Sequence, residues 1–145
     1  MKIGKKKISS MEKRQLIEVA LLAKENAYAP YSRFRVGAAM LTEDGTVFAG
    51  CNVENSSYSL TICAERNALF KAVCEGHTKF SAIAIVSDDA KLLPPCGACR
   101  QVLSEFAPDL TIILTTVHGD VKITSLDKLF PMPADLKKLG KRRAK

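Results

Sequence analysis

Between residues 9 and 28 the apolar positions Met11, Leu16, Val19, Ala20, Leu22 and Ala23 recur at three- and four-residue spacing, with Glu12, Lys13, Glu18, Lys24 and Glu25 between them. That is the period of an amphipathic helix, which Ser9 or Ser10 can cap and Pro30 ends. The pattern then changes. Residues 34–41 and 47–52 are short β-rich runs, and Asp44-Gly45 between them supplies the turn geometry of an antiparallel hairpin. Residues 63–75 return to helical spacing, with Ala64, Ala68, Leu69, Ala72 and Val73 on one side and Gly76 behind them. Residues 80–86 are almost wholly apolar, as expected of a central strand buried on both faces.

After Pro94-Pro95 the chain predicts a helix from Gly97 to about Phe106 and then a β-branched strand at 110–116. Strand, helix and strand in that order predict a parallel pair. Only Val117, His118 and Gly119 separate this strand from the next apolar run at 120–124. A parallel crossover needs about a dozen residues, so the last strand is expected to turn back antiparallel. Residues 125–130 read as a closing helical turn before Pro131 and Pro133, and His77 and His118 sit near turns as ordinary surface residues. No internal repeat is visible.

At 145 residues, 47% of them hydrophobic, the chain is expected to build one domain around one core, at residues 10–134. No stretch approaches the roughly 20 uncharged apolar residues that cross a bilayer, and the N-terminal lysines lead into a charged helix rather than an apolar block. A soluble cytoplasmic protein with no membrane partner is expected.

The formal charge of +7 raises the question of a polyanionic partner. The charge sits at the ends: Lys2, Lys5, Lys6 and Lys7 at one, and Lys137, Lys138, Lys141, Arg142, Arg143 and Lys145 at the other. The body between them, residues 11–134, keeps 12 basic residues against 14 acidic ones. Residues 1–9 and 135–145 therefore read as solubilising, disordered tails rather than as a nucleic-acid surface.

The chemistry lies in the cysteines. Cys96 and Cys99 open one predicted helix and, three residues apart, face the same way. Cys63 opens another helix and can supply a third thiolate. Both helix N-termini favour negative charge, which lowers thiol pKa as metal binding requires. Cys74, eleven residues along the helix that Cys63 opens, would lie about 16 Å away, while Cys51 stays open as a further ligand. Three protein ligands with one free position is the arrangement of catalytic zinc, and Glu65, two residues after Cys63, is placed to exchange protons with a water at such an ion.

Cys63-Ala64-Glu65 followed by Pro95-Cys96-Gly97-Ala98-Cys99 resembles the cytidine deaminase superfamily. The likeness to its small homotetrameric nucleoside branch, in which Cys is the first ligand, extends over roughly residues 12–131. It runs through Ala29-Pro30-Tyr31-Ser32-Arg33-Phe34-Arg35-Val36-Gly37, Gly50-Cys51-Asn52-Val53-Glu54-Asn55-Ser56-Ser57-Tyr58 and Cys99-Arg100-Gln101. The resemblance implies an α/β fold: a three-layer α-β-α arrangement around a five-stranded mixed sheet, its last strand antiparallel. The short 117–119 connection favours the same branch independently.

The resemblance also implies one zinc ion per subunit on Cys63, Cys96 and Cys99, and Glu65 as the group that passes protons to N3 and to the departing amino group of cytosine. Three thiolates leave a net negative metal site, and Arg66 is expected to draw off that charge through the ligand sulfurs. Asn52 and Glu54, alternating at a strand end, correspond to groups that hold the ribose 3′ hydroxyl. Phe34 and Ala64 correspond to base contacts, and Ser56 and Tyr58 to residues that reach a neighbouring subunit's pocket in a tetramer with shared active sites. The expected reaction is hydrolysis of cytidine and deoxycytidine to uridine and deoxyuridine plus ammonia, in pyrimidine salvage. One departure stands out: where the family often carries a C-terminal aromatic that covers the base, this chain has Ala134, with Phe130 and Met132 nearby.

Three rival readings remain at this level. Cys96-Gly97-Ala98-Cys99 alone would suit a dithiol redox protein, but that leaves Cys63-Ala64-Glu65 without a role. A binding module would put the tails on nucleic acid and keep zinc as structure. Within the enzyme class, the alternative is deamination of a cytosine-containing antibiotic such as blasticidin S.

Overall fold

The computed structural model describes residues 7–140; Lys2, Lys5, Lys6, Lys141, Arg142, Arg143 and Lys145, and so the outer parts of both expected tails, lie outside the described residues. Residues 136–140, read from sequence as part of a tail, form a short helix.

Helix α1 (Ser10–Lys24) begins at a capping box, in which the Ser9 hydroxyl and the Glu12 carboxylate each accept from the other's backbone N–H at 3.0 Å. It stops four residues short of the predicted end because Tyr28 leaves the helix to pair with Val53. Strands β1 (Val36–Thr42) and β2 (Val47–Cys51) form the predicted hairpin, with the Asp44 carboxylate tying the turn to Thr46 at 3.1 Å and Gly45 at φ 92°. Then follow α2 (Ala64–Cys74), β3 (Phe80–Ser87), α3 (Gly97–Phe106), β4 (Thr111–Thr115), β5 (Val121–Ser125) and two helical turns, α4 (Leu126–Leu129) and α5 (Leu136–Gly140).

The sheet order is β2-β1-β3-β4-β5. β3 and β4 are parallel across α3 and every other pair is antiparallel, including β4 with β5, as the connection lengths predicted. β3 is central, and seven of its eight residues are buried.

Alternation along the strands makes two cores, one per face. On one, Leu16 and Ala20 of α1 pack against Ala39, Leu41, Ala82, Ala84, Val86 and Ile113. On the other, Ala68, Leu69 and Ala72 of α2 and Leu103 of α3 cover Ala38, Met40, Ile83, Ile85 and Ile112. Each fully buried Leu or Ile contributes roughly 1.5–3 kcal/mol, so the three layers hold by burial. Two glycines set how closely the helices approach. A Cβ on Gly37 would lie 2.0 Å from the Ala20 carbonyl, and one on Gly50 would lie 2.4 Å from both Ala64 O and Ala68 N. The first turn of α2 therefore rests directly on the β2 backbone.

Candidate metal centre and its cavity

Cys63 and Cys96 are the N-cap residues of α2 and α3, both with extended backbone, while Cys99 lies one turn into α3. Neither cap side chain bonds its own helix, which leaves the sulfurs free to converge. Cys63 Sγ stands 3.7 Å from Cys96 Sγ, and all three sulfurs lie within 4.8 Å of one another. A tetrahedral zinc ion with Zn–S bonds of about 2.3 Å requires sulfurs about 3.8 Å apart, whereas a disulfide requires about 2.05 Å. Donor set and spacing fit zinc. Cys51 and Cys74 stand outside the cluster, so the ligand left open by sequence is not Cys51.

The cluster is already biased toward negative charge. Cys63 is held down to about 5 by the neighbouring Cys99 side chain, and further by the Arg66 guanidinium, whose Nη2 donates to Cys63 Sγ at 3.5 Å. Cys99 is pushed up for the reciprocal reason and by burial. Arg66 is half-buried and its Nε, fully shielded from solvent, has no protein partner. It is no solvated surface arginine.

Glu65 is buried on the inward side of α2, and its Oε2 accepts from Cys99 Sγ at 3.3 Å. Burial pushes its carboxyl pKa up. Desolvation favours the protonated form, so a carboxyl so placed takes up a proton more readily than an exposed one, the property a proton shuttle needs.

Cluster and carboxyl face a cavity of about 300 Å³, lined by Phe34, Asn52, Glu54, Cys63, Ala64, Glu65 and Cys96 and by five residues that sequence did not single out: Ser32, Val36, Thr61, Leu93 and Pro94. Most of this wall is apolar. Among its polar groups, Asn52 accepts from Val36 N at 2.8 Å and donates to the Phe34 carbonyl at 2.8 Å, while Glu54 accepts from Tyr31 N at 3.0 Å and Ser32 N at 3.1 Å. Asn52 and Glu54 share one face, as their alternation suggested.

Ser56 and Tyr58 stand outside this cavity. Tyr58 is 59% exposed, its ring tilted against Tyr31 at a centroid distance of 6.1 Å, and the Tyr31 hydroxyl lies 2.6 Å from Ser56 Oγ. Phe130, Met132 and Ala134 do not line it either: Phe130 packs on the core beside α3, Met132 is 87% exposed, and Ala134 gives its carbonyl to Gln101 at 3.0 Å. His77 is less ordinary than its turn suggested, since its ring lies 5.2 Å from that of Phe48 and its Nδ1 3.6 Å from Asp44. Among the described residues no helix is long and apolar enough to cross a membrane.

Residues 10–115 match the family described as the cytidine and deoxycytidylate deaminase zinc-binding region. The cytidine deaminase of Sporosarcina psychrophila is 51% identical over 122 residues, which make up 83% of this chain and 90% of that protein. A crystal structure of cytidine deaminase from Burkholderia pseudomallei superposes with a TM-score of 0.82 at 50% identity, covering 88% of this chain and 100% of the other. The blasticidin-S deaminase of Bacillus cereus stands further off, 30% identical over 131 residues, which make up 85% of this chain and 92% of that protein. The family match runs through both helices that carry the sulfurs, and the sulfurs stand at the spacing that zinc requires: the chain belongs to the cytidine and deoxycytidylate deaminase family.

Proposed function

We propose that this enzyme hydrolyses cytidine and deoxycytidine to uridine and deoxyuridine, releasing ammonia. The observation that carries the reading is the contact of buried Glu65 with Cys99, which sets a carboxyl against a cluster of three sulfurs beside a nucleoside-sized cavity. Cys63, Cys96 and Cys99 would hold zinc, which supplies Lewis-acid activation of a water molecule. Glu65 takes one proton from the attacking water as its oxygen bonds to C4 of the base and delivers it to N3, then takes the second proton from the new C4 hydroxyl and gives it to the amino group as the C4–N bond breaks. The water thus supplies the new oxygen, the proton that stays on N3 and the one proton that leaves in ammonia, so nothing else is consumed. Arg66 withdraws charge from the Cys63 sulfur and keeps the metal a stronger acid than three unshielded thiolates would allow.

The cavity walls orient the nucleoside. Phe34 and Ala64 flank the base, and Asn52 with Glu54 takes a sugar hydroxyl, accepting from it at the carboxylate and donating to it from the amide. That sugar pair is what favours nucleosides over an antibiotic such as blasticidin S. Tyr28, Tyr31, Tyr58 and Leu60 are large exposed apolar side chains on segments that flank the cavity-lining Ser32 and Thr61 in sequence, with Tyr31 and Tyr58 in ring contact. Exposed side chains of that kind are what one copy presents to another, and they support a homotetramer in which Ser56 and Tyr58 complete a neighbour's pocket. Such an enzyme belongs in cytoplasmic pyrimidine salvage, and its basic ends act as solubilising tails.

The test is an absorbance assay of the zinc-loaded protein on cytidine, deoxycytidine, cytidine monophosphate and blasticidin S. Turnover of the first two at comparable efficiency, well above the others, is the expected result. Preference for blasticidin S or for the phosphorylated substrate would overturn the substrate assignment.

A further inference from the structure

Glu54 is bound by its own chain more fully than a carboxylate set aside for substrate needs to be. Oε1 accepts two backbone N–H groups, from Tyr31 at 3.0 Å and Ser32 at 3.1 Å, and Oε2 accepts the Ser32 hydroxyl. The Ser32 oxygen in turn accepts from Phe34 N at 3.0 Å, and the Phe34 carbonyl accepts from Asn52 Nδ2 at 2.8 Å. Ser32, Phe34, Asn52 and Glu54 are thus linked in one chain of hydrogen bonds along the cavity wall. Within it Arg33 sits at φ 56°, in the left-handed region that a non-glycine residue adopts only when its surroundings hold it there.

An ionised carboxylate offers about four acceptor sites and no donor. Three of Glu54's are taken by the turn, so the free capacity, at Oε2, is on the atom that Ser32 also grips. The group that Oε2 takes from the cavity must be a donor such as a hydroxyl. The Ser32 bond also holds the Glu54 carboxyl below its usual range, and it is the one bond to this carboxylate that a side-chain substitution can remove without altering the backbone.

We infer that Ser32 is the positioning residue of the sugar-binding part of the cavity, fixing the Glu54 carboxylate and the Phe34 backbone so that the site selects substrates bearing a sugar hydroxyl. The inference rests on the deaminase reading above. Ser32 acts on affinity and not on the chemical step, because its hydrogen bonds go to Glu54 and Phe34, whereas Glu65 bonds Cys99 of the sulfur cluster.

The experiment compares Ser32→Ala and Ser32→Thr with the unmodified zinc-loaded enzyme. It measures kcat and KM on cytidine, and calorimetric binding of uridine and of 2′,3′-dideoxyuridine. Losing a hydrogen bond to a charged acceptor while two others remain should raise the cytidine KM of Ser32→Ala about 10-fold, with kcat nearly unchanged. Uridine binding should weaken in parallel and dideoxyuridine binding should not, while Ser32→Thr, which keeps the hydroxyl, should restore both constants. An equal loss for the two product nucleosides, a fall in kcat at constant KM, or no change at all would overturn the role of Ser32. An unmodified enzyme that neither turns over cytidine nor binds uridine would instead remove the deaminase reading, before any variant is compared.

Discussion

Cys99 donates its S–H to Glu65 Oε2 at 3.3 Å, so a sulfur on α3 and a carboxyl on α2 meet across the two helices that frame the cavity. The contact fixes where the carboxyl can act. Glu65 cannot swing to solvent, being buried, and the space it faces is the one beside the sulfurs.

Glu65→Gln should therefore keep fold and zinc, since the change is nearly isosteric, and lose turnover because an amide cannot carry the proton. General acid–base groups contribute about 10²–10⁴-fold, and a group used at more than one step should lie at the upper end. Metal analysis and steady-state kinetics check this together. A variant retaining a tenth of normal turnover would remove Glu65 from the proton path.

Arg66→Gln should leave zinc bound but slow the reaction by about 10–100-fold, as expected when a group supporting a metal ligand is lost. Its contact with Cys63 Sγ at 3.5 Å is the reason. The rate and its pH profile are the readout, and an unaltered profile would return Arg66 to a purely structural place in α2.

Much of this was legible in the chain before any coordinates. The proposed metal ligands show partly as local patterns: Cys96 and Cys99 share one helical turn, and Cys63 stands two residues before Glu65, but Cys51 stayed open on spacing and only the family resemblance implied the full set. The direction of β5 followed from a three-residue connection. What stayed hidden depends on contacts between distant segments. Phe34 was read into β1, but Arg33 at φ 56° breaks the strand and the Asn52 amide takes the Phe34 carbonyl, so the strand begins at Val36. Ser32 and Glu54 are 22 residues apart, and Arg35 and Asp88 are 53 apart. No periodicity carries such pairings, and no local pattern around Ser32 or Asp88 names its partner.

Asp88 shows what those hidden contacts do for stability. It accepts from Arg35 N and Nε, each at 3.0 Å, and from the Nζ of Lys24 at 2.7 Å, with Lys24 buried and its other partner, Glu25, at 3.2 Å. The Arg35 bonds, and after them Lys24, hold the Asp88 carboxyl well below its usual value of 3.8. Asp88→Asn should cost roughly 2 kcal/mol, between an exposed ion pair and a broken buried one, because Lys24 keeps Glu25. A depressed folded-state pKa stabilises above the unfolded value and loses that contribution as pH falls toward the folded one. In urea titrations the gap between parent and variant should be full at pH 7 and narrow below 3.8. A gap that is absent at neutral pH, or that widens in acid, would contradict the network's role.

If pockets are shared, Tyr58→Ala and Glu65→Gln disable different chains of one composite site. Each variant alone should be nearly inactive, and a mixture under subunit exchange should regain activity above either parent. Sedimentation should give about four chains per particle. A fully active monomer, or no recovery despite proven exchange, would rule out the composite pocket.

The central claim is that one zinc ion on Cys63, Cys96 and Cys99 and the Glu65 carboxyl together deaminate cytidine. It is tested most directly by adding zinc stepwise to metal-free protein while following cytidine turnover. Activity should rise from none in proportion to bound metal and level off at one zinc per chain, with Glu65→Gln binding the same zinc and staying inactive. Cytidine deamination by metal-free protein, or a fully zinc-loaded protein that leaves cytidine unchanged, would contradict the account.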